Sequence, residues 1–212
     1  MGNRAVITTR KNFENNGVGV YVHWNGGRDS VEAFLKYCEL RNFRSPSQDC
    51  YGWARLVQVL GNFFGINGLF VGIDLVQNLD CDNFDNGVYI IEDWNIVGRE
   101  YFEGDEQNEY DLYEMLKDID DAQPEEQRLG EYMFAPEIPT SDLKVGDVVY
   151  VLNFNNVVQK VEILGFGEGV TATGTDVTGL PYAEICGGPL GRGNINNYIR
   201  TKTVRLVSRK PQ

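Results

Sequence analysis

Leu112, Met115, Leu116 and Ile119 recur at helical spacing, while Asp111, Glu114, Asp118 and Asp121 repeat at steps of three and four along the same stretch. At about 100° per residue the two stripes lie roughly a third of a turn apart. One side of this helix must dock on apolar surface and the other must face water, so the remainder of the chain has to cover the first and leave the second open. The surrounding segment has the same bias. Residues 92–137 hold sixteen acidic residues against three basic ones, Arg99, Lys117 and Arg128, a balance of −13 in a protein whose total is −12. The charge is therefore local. Such a single-sign field bears on partners and association rates, and the partner it favours is a basic surface.

Upstream, residues 5–8 and 17–24 read as β-branched and aromatic strands joined by the Asn-rich turn 12–17. Asp29 with Glu32 predicts a capping box for a helix over 30–41, with Val31, Phe34, Leu35 and Cys38 on its buried face. Pro46 breaks that helix. Ser47 or Asp49 then caps a second one carrying Trp53, Leu56, Val57, Leu60 and Phe64 at a 3.6-residue period. Residues 69–76 predict a buried strand, and 87–92 with 96–102 predict a pair joined by a tight turn at 93–95. The order ββααβββ implies an α+β domain over 1–104 with an antiparallel sheet and two helices. An acidic helical segment and linker over 105–139 and a module of short strands over 140–212 follow. The Gly and Asn turns of that module suggest a small SH3-like barrel.

Residues 1–13 lack the apolar run of a secretory signal, and the apolar stretch 57–76 is broken by Gly61, Asn62, Gly65, Asn67, Gly68, Gly72 and Asp74. The expectation is a soluble protein of the cytoplasm, with no membrane contact. Cys38, Cys50, Cys81 and Cys186 are widely separated, with no C-x-x-C, and His23 is the single histidine. These exclude a Cys/His zinc pattern, and all four thiols are expected to be reduced. No metal or cofactor is expected.

Two local patterns carry candidate chemistry. Cys50 falls in the first turn of a predicted helix, where the helix dipole favours a thiolate. Asp49-Cys50-Tyr51-Gly52 resembles the Asp-Cys-Ser-Gly nucleophile turn of the NlpC/P60 cysteine peptidases at Asp49, Cys50 and Gly52. That resemblance implies a cysteine hydrolase or transferase with Cys50 as nucleophile and His23 as base, in the residue order of permuted members. The alternative is a packed thiol and a strand-end histidine. The turn Trp24-Asn25-Gly26-Gly27-Arg28, at a helix start, offers a ligand or anion site through Trp24, Asn25 and Arg28, or a strand-to-helix turn needing glycine for positive φ. Asp80, Asp82, Asn83 and Asp85 fail the calcium-loop register, because Asp85 stands where glycine belongs. Gly165, Gly167 and Gly169, and Gly187, Gly188, Gly191 and Gly193, lack the context of a phosphate loop.

The runs 21–35, 49–56 and 61–65 resemble a group of mostly uncharacterised proteins of bacterial phages and mobile elements. That setting implies an inhibitor of host defence, of which anti-CRISPR proteins are one kind. Glu103, Asp105, Glu106, Glu109, Asp111, Glu114, Asp118, Asp120 and Asp121 are then the expected partner-binding residues. They would face the basic nucleic-acid-binding surface of a nuclease, such as an RNA-guided one. A protein-binding adaptor is the other alternative. Arg192, Arg200, Lys202, Arg205, Arg209 and Lys210 give the C-terminal module a weaker case for nucleic-acid contact.

Overall fold

The computed structural model describes residues 2–153, 156–169, 175–185 and 198–209. It is an α+β chain that falls into two compact units, Met1–Arg128 and Leu129–Gln212.

In the first unit, β1 (Ala5–Thr9) is buried along its whole length at the centre of a five-stranded sheet. It is flanked by β2 (Val18–Val22) and β4 (Val88–Glu92), with β3 (Val71–Leu75) and β5 (Asn95–Glu100) at the edges. A five-residue helix, α1 (Arg10–Glu14), fills part of the connection expected to be a plain turn. The sheet is mixed rather than wholly antiparallel, because β1 and β4 run parallel, with Val6 opposite Val88 and Thr9 opposite Ile91. Parallel strands need a long crossover, and the helices α2 (Arg28–Leu40) and α3 (Cys50–Phe64) supply it. Gaps between the late strands alone do not reveal this, since the partner of β4 is the first strand of the chain. The expected buried strand is β3, but as an edge strand it leaves Ile73 and Leu75 exposed.

On α2, Val31, Phe34, Leu35 and Cys38 are fully buried, as their spacing predicts. Its start differs. The N-cap is Gly27 with no side-chain cap, and Glu32 is drawn to Arg28 at 3.6 Å instead of closing a box with Asp29. On α3 the Asp49 carboxylate caps the first turn, accepting from the Tyr51 N–H at 2.9 Å. The helix then buries Trp53, Leu56, Val59 and Leu60. The β4–β5 hairpin turns through Asp93 and Trp94, both at positive φ. This conformation is unfavourable for a bulky residue, and it is held by the Trp94 indole N–H donating to the Phe43 carbonyl at 2.9 Å.

The acidic helix, α4 (Leu112–Asp121), belongs to this unit. Leu116 and Ile119 are buried, and Gln123 just beyond the helix donates to the Val59 carbonyl of α3 at 3.3 Å. Asp111 caps it, accepting from the N–H groups of Tyr113 and Glu114 at 2.9 and 3.1 Å.

In the second unit, β6 (Glu137–Pro139), β7 (Val148–Leu152), β8 (Val158–Phe166), β9 (Pro181–Ile185) and β10 (Thr203–Ser208) form a sheet of order β6-β10-β7-β8-β9. Leu143, Val149, Val161, Ile163, Ala183, Ile199 and Val204 are its core. Every ladder is antiparallel. Among the described residues the sheet is open between β6 and β9, so the expected SH3-like closure is not present. Alternation and turn residues specify strands, whereas closure depends on tilt and stagger accumulated across all of them. Cys186, Arg192, Lys210 and the glycines at 187, 188, 191 and 193 lie outside the described residues.

Candidate interaction site

The predicted partner-binding acids divide into two groups. Glu103, Asp105, Glu109, Asp111, Glu114, Asp118 and Asp121 are exposed. Asp121 is paired with Lys117 one turn back, which holds its carboxyl below the usual range and raises the lysine in return. Glu103, Asp105, Glu109, Asp111, Glu114 and Asp118 form no ion pair among the described residues. The acidic stripe of α4 is thus presented to solvent, as the sequence predicts.

Asp120 and Glu106 face the other way. Asp120 is 3% exposed and accepts from the Tyr37 hydroxyl of α2 at 2.9 Å. This polar anchor lies beside the apolar stripe, and it removes Asp120 from any external surface. Glu106 is clamped between two arginines. Its carboxylate takes two contacts from Arg99 Nη1, at 2.9 and 3.0 Å, and one from Arg28 Nη1 at 3.1 Å. Gln107 Oε1 reaches the Asp29 N–H at 3.5 Å and the Tyr110 hydroxyl donates to Glu32, so residues 106–110 form a strap across the start of α2. Charge periodicity cannot distinguish a carboxylate facing water from one meeting an arginine distant in sequence.

Arg99 lies between the rings of Tyr89 and Phe102, with its guanidinium carbon 3.8 Å from each centroid. Burial pushes its pKa down, and Tyr89 and Glu106 only partly counter that. At Arg28 burial is the largest influence and opposes the charge, yet Glu106 and Tyr110 acting together outweigh it and the pKa rises. Arg28 lines an adjoining cleft of ≈ 270 Å³ with Glu32, Lys36, Trp94, Ile96 and Leu112. Sequence reasoning counted Arg99 only as one of three bases in an acidic run and missed Tyr89 and Tyr37 altogether. No local pattern marks them, because Tyr37 meets Asp120 from a distant helix and Tyr89 meets Arg99 from the neighbouring strand.

The turn at 24–28 is a structural joint. Asn25, not a glycine, holds the positive φ there. Gly26 is needed for room, since a Cβ would lie 2.7 Å from the Arg4 carbonyl carbon and the Asn3 oxygen. Trp24 is exposed and meets His23 and Phe70 edge to face. Arg28 is committed to Glu106.

Cys50 and His23 are not brought together. Cys50 is exposed at the first position of α3. His23 bonds the Tyr21 hydroxyl at 2.9 Å and stacks on Phe70, which meets Phe64 at the last position of α3. The histidine is therefore at the far end of a helix about 21 Å long at 1.5 Å per residue, and a general base must lie within hydrogen-bond reach. The matched residues have structural duties. Asp49 is the cap, and a Cβ at Gly52 would stand 2.2 Å from Pro46 N, so the glycine allows α3 to cross that backbone.

The basic end of the second unit is partly committed within it. Arg209 pairs with the buried Asp147 at 2.7 Å, and Arg205 donates to the Ala135 carbonyl at 2.8 Å and stacks on Tyr132. Arg200 and Lys202 are exposed. Among the described residues no His, Cys, Asp and Glu cluster suits a metal, and no helix is long and apolar enough to cross a membrane. In the loop at 80–85 the carboxylates of Asp80 and Asp85 are engaged by Arg4.

Fold and site together define a two-unit α+β protein presenting an acidic helix. Compared with known families, curated proteins and solved structures, the chain matches none.

Proposed function

We propose that this chain is a protein-binding inhibitor that docks its acidic surface on a basic, nucleic-acid-reading surface. The case to test first is an RNA-guided nuclease, within the anti-defence setting that the phage-protein resemblance implies. The observation that carries the reading is the presentation of α4. Leu116, Ile119 and Asp120 fix the helix on the inside, leaving Asp111, Glu114 and Asp118 outward without an ion pair among the described residues. Holding carboxylates one turn apart is unfavourable by a few tenths of a kcal/mol per pair. A partner lined with Lys and Arg reverses that cost, and nuclease surfaces that hold nucleic acid through its backbone have this character.

The structure also selects the residues to alter. Asp111 caps the helix, Asp120 is buried and Glu106 is clamped, so reversing any of them would disturb the fold. Glu103, Glu109 and Asp118 are free of such duties, and Glu114 adds only its first-turn charge to the helix dipole. Changing these four to Lys should leave circular dichroism unchanged and abolish inhibition of nuclease cleavage, and binding by the native chain should weaken steeply as salt rises. Undiminished inhibition by the quadruple variant would reject the acidic surface as the binding element.

A further inference from the structure

We propose that Arg28, Arg99, Tyr89 and the first turn of α2 form a phosphate-binding site whose resident occupant is the chain's own Glu106. This does not depend on what the acidic surface binds. The groups come from four places: β4 supplies Tyr89, β5 supplies Arg99, α2 supplies Arg28 and its N-terminus, and the strap supplies Glu106.

Glu106 satisfies the site incompletely. Its two oxygens take Nη1 of Arg99 and Nη1 of Arg28, while Arg99 Nη2 is spent on the Asn86 carbonyl. Two buried donors then have no hydrogen-bond partner among the described residues, Arg99 Nε and the Tyr89 hydroxyl. The Arg99 side chain is 10% exposed and Tyr89 is fully buried. Tyr89 lies across the β4–β5 ladder from Arg99, whose guanidinium stacks on its ring. Its pKa is raised by burial first, with Arg99, Glu106, Arg28 and Asp29 acting on it from around. Unpaired buried donors are rare in native proteins, and a pair of them beside two guanidinium groups marks an anion site that is only partly filled.

The thirteen-residue α2 adds the N–H groups of its first turn, since Gly27 gives no side-chain cap, although that of Asp29 is already met by Gln107 Oε1 at 3.5 Å. A helix N-terminus with arginines suits an oxyanion. A carboxylate has two oxygens and lies in a plane, whereas phosphate is tetrahedral and brings additional oxygens to the free Nε and hydroxyl. Glu32 and Asp29 offset part of the positive charge, so discrimination comes from donor geometry as well as charge. Exchange of Glu106 for phosphate would free the strap at 106–110.

The test is calorimetric titration with inorganic phosphate, at an ionic strength held constant with chloride. The proteins are the native chain, Glu106→Gln and the double variant Glu106→Gln/Arg28→Gln. Vacating the site should tighten phosphate binding by at least about tenfold, and the double variant should lose the gain. A folded Glu106→Gln chain that binds phosphate no better than the native one, or a double variant that binds equally well, overturns the site. Should Glu106→Gln fail to fold by circular dichroism, amide hydrogen exchange of the native chain decides. Phosphate, but not chloride, must then speed exchange at 106–110, and unchanged exchange overturns the proposal.

Discussion

Removing a single oxygen atom, in Tyr37→Phe, asks whether the acidic helix is anchored as the geometry indicates. Tyr37 is 1% exposed, and its hydroxyl lies 2.9 Å from Asp120 Oδ1 and 3.1 Å from the Gln127 carbonyl. The ring stays, so apolar burial hardly changes and the loss is that of the hydrogen bond. A bond to a charged group contributes about 1.5–3 kcal/mol net. Asp120, at 3% exposure, would remain buried with one donor fewer, which places the expected loss toward the upper end, about 2–3 kcal/mol. Against a domain stability of about 5–15 kcal/mol this is a large fraction. Urea unfolding followed by circular dichroism measures it, and hydrogen exchange over 112–121 shows whether the loss centres on α4. A double-mutant cycle with Asp120→Asn isolates the pair, with an expected coupling of at least about 1 kcal/mol. Tyr37→Phe within about 0.5 kcal/mol of the native chain, with no coupling, would refute the anchor and with it the fixed presentation of the carboxylates.

Three other outcomes follow from the geometry. Gly52→Ala should destabilise despite the better helix propensity of alanine, because the clash is with Pro46 and Ser45 backbone; a loss of about 1–3 kcal/mol in urea titration is expected. In a Cys186→Ser background, iodoacetamide should label the exposed Cys50 first and the half-buried Cys81 next. Cys38, whose thiol burial pushes up, should react only on unfolding. His23→Ala should leave the Cys50 rate unchanged, and a several-fold fall would revive the catalytic pair. Asp147 sits below the usual carboxylate range because Arg209 bonds it. Its stabilisation is complete above the unfolded value of about 3.9 and lost as pH falls through the folded one. The urea midpoint of Asp147→Asn should therefore be lower than native near neutral pH and converge with it in acid.

The three longer helices were legible because their signals are local, whereas the five-residue α1 was not. Val31, Phe34, Leu35 and Cys38 share one face of α2 by spacing alone, Asp49 caps α3 through the next two residues, and Asp111 to Asp121 follow the rotation of α4. The strands were legible as segments, though not their partners. The candidate site was half legible: Glu114 and Asp118 are outward, whereas Asp120 and Glu106 turn inward to Tyr37 and to two arginines.

Sequence alone determined the three longer helices and the strands of the first unit as segments, that the negative charge is concentrated in one stretch, and which stripe of α4 is dry. These follow from covalent spacing and the 3.6- and 2-residue periods. Tertiary structure alone decided that β1 takes β4 in parallel, that the second sheet stays open among the described residues, and that Cys50 and His23 stand at opposite ends of α3. It also decided which carboxylates remain available to a partner. Each of those outcomes depends on groups far apart in the chain meeting at a few ångströms, where hydrogen bonding and burial, rather than sequence neighbours, fix the energy.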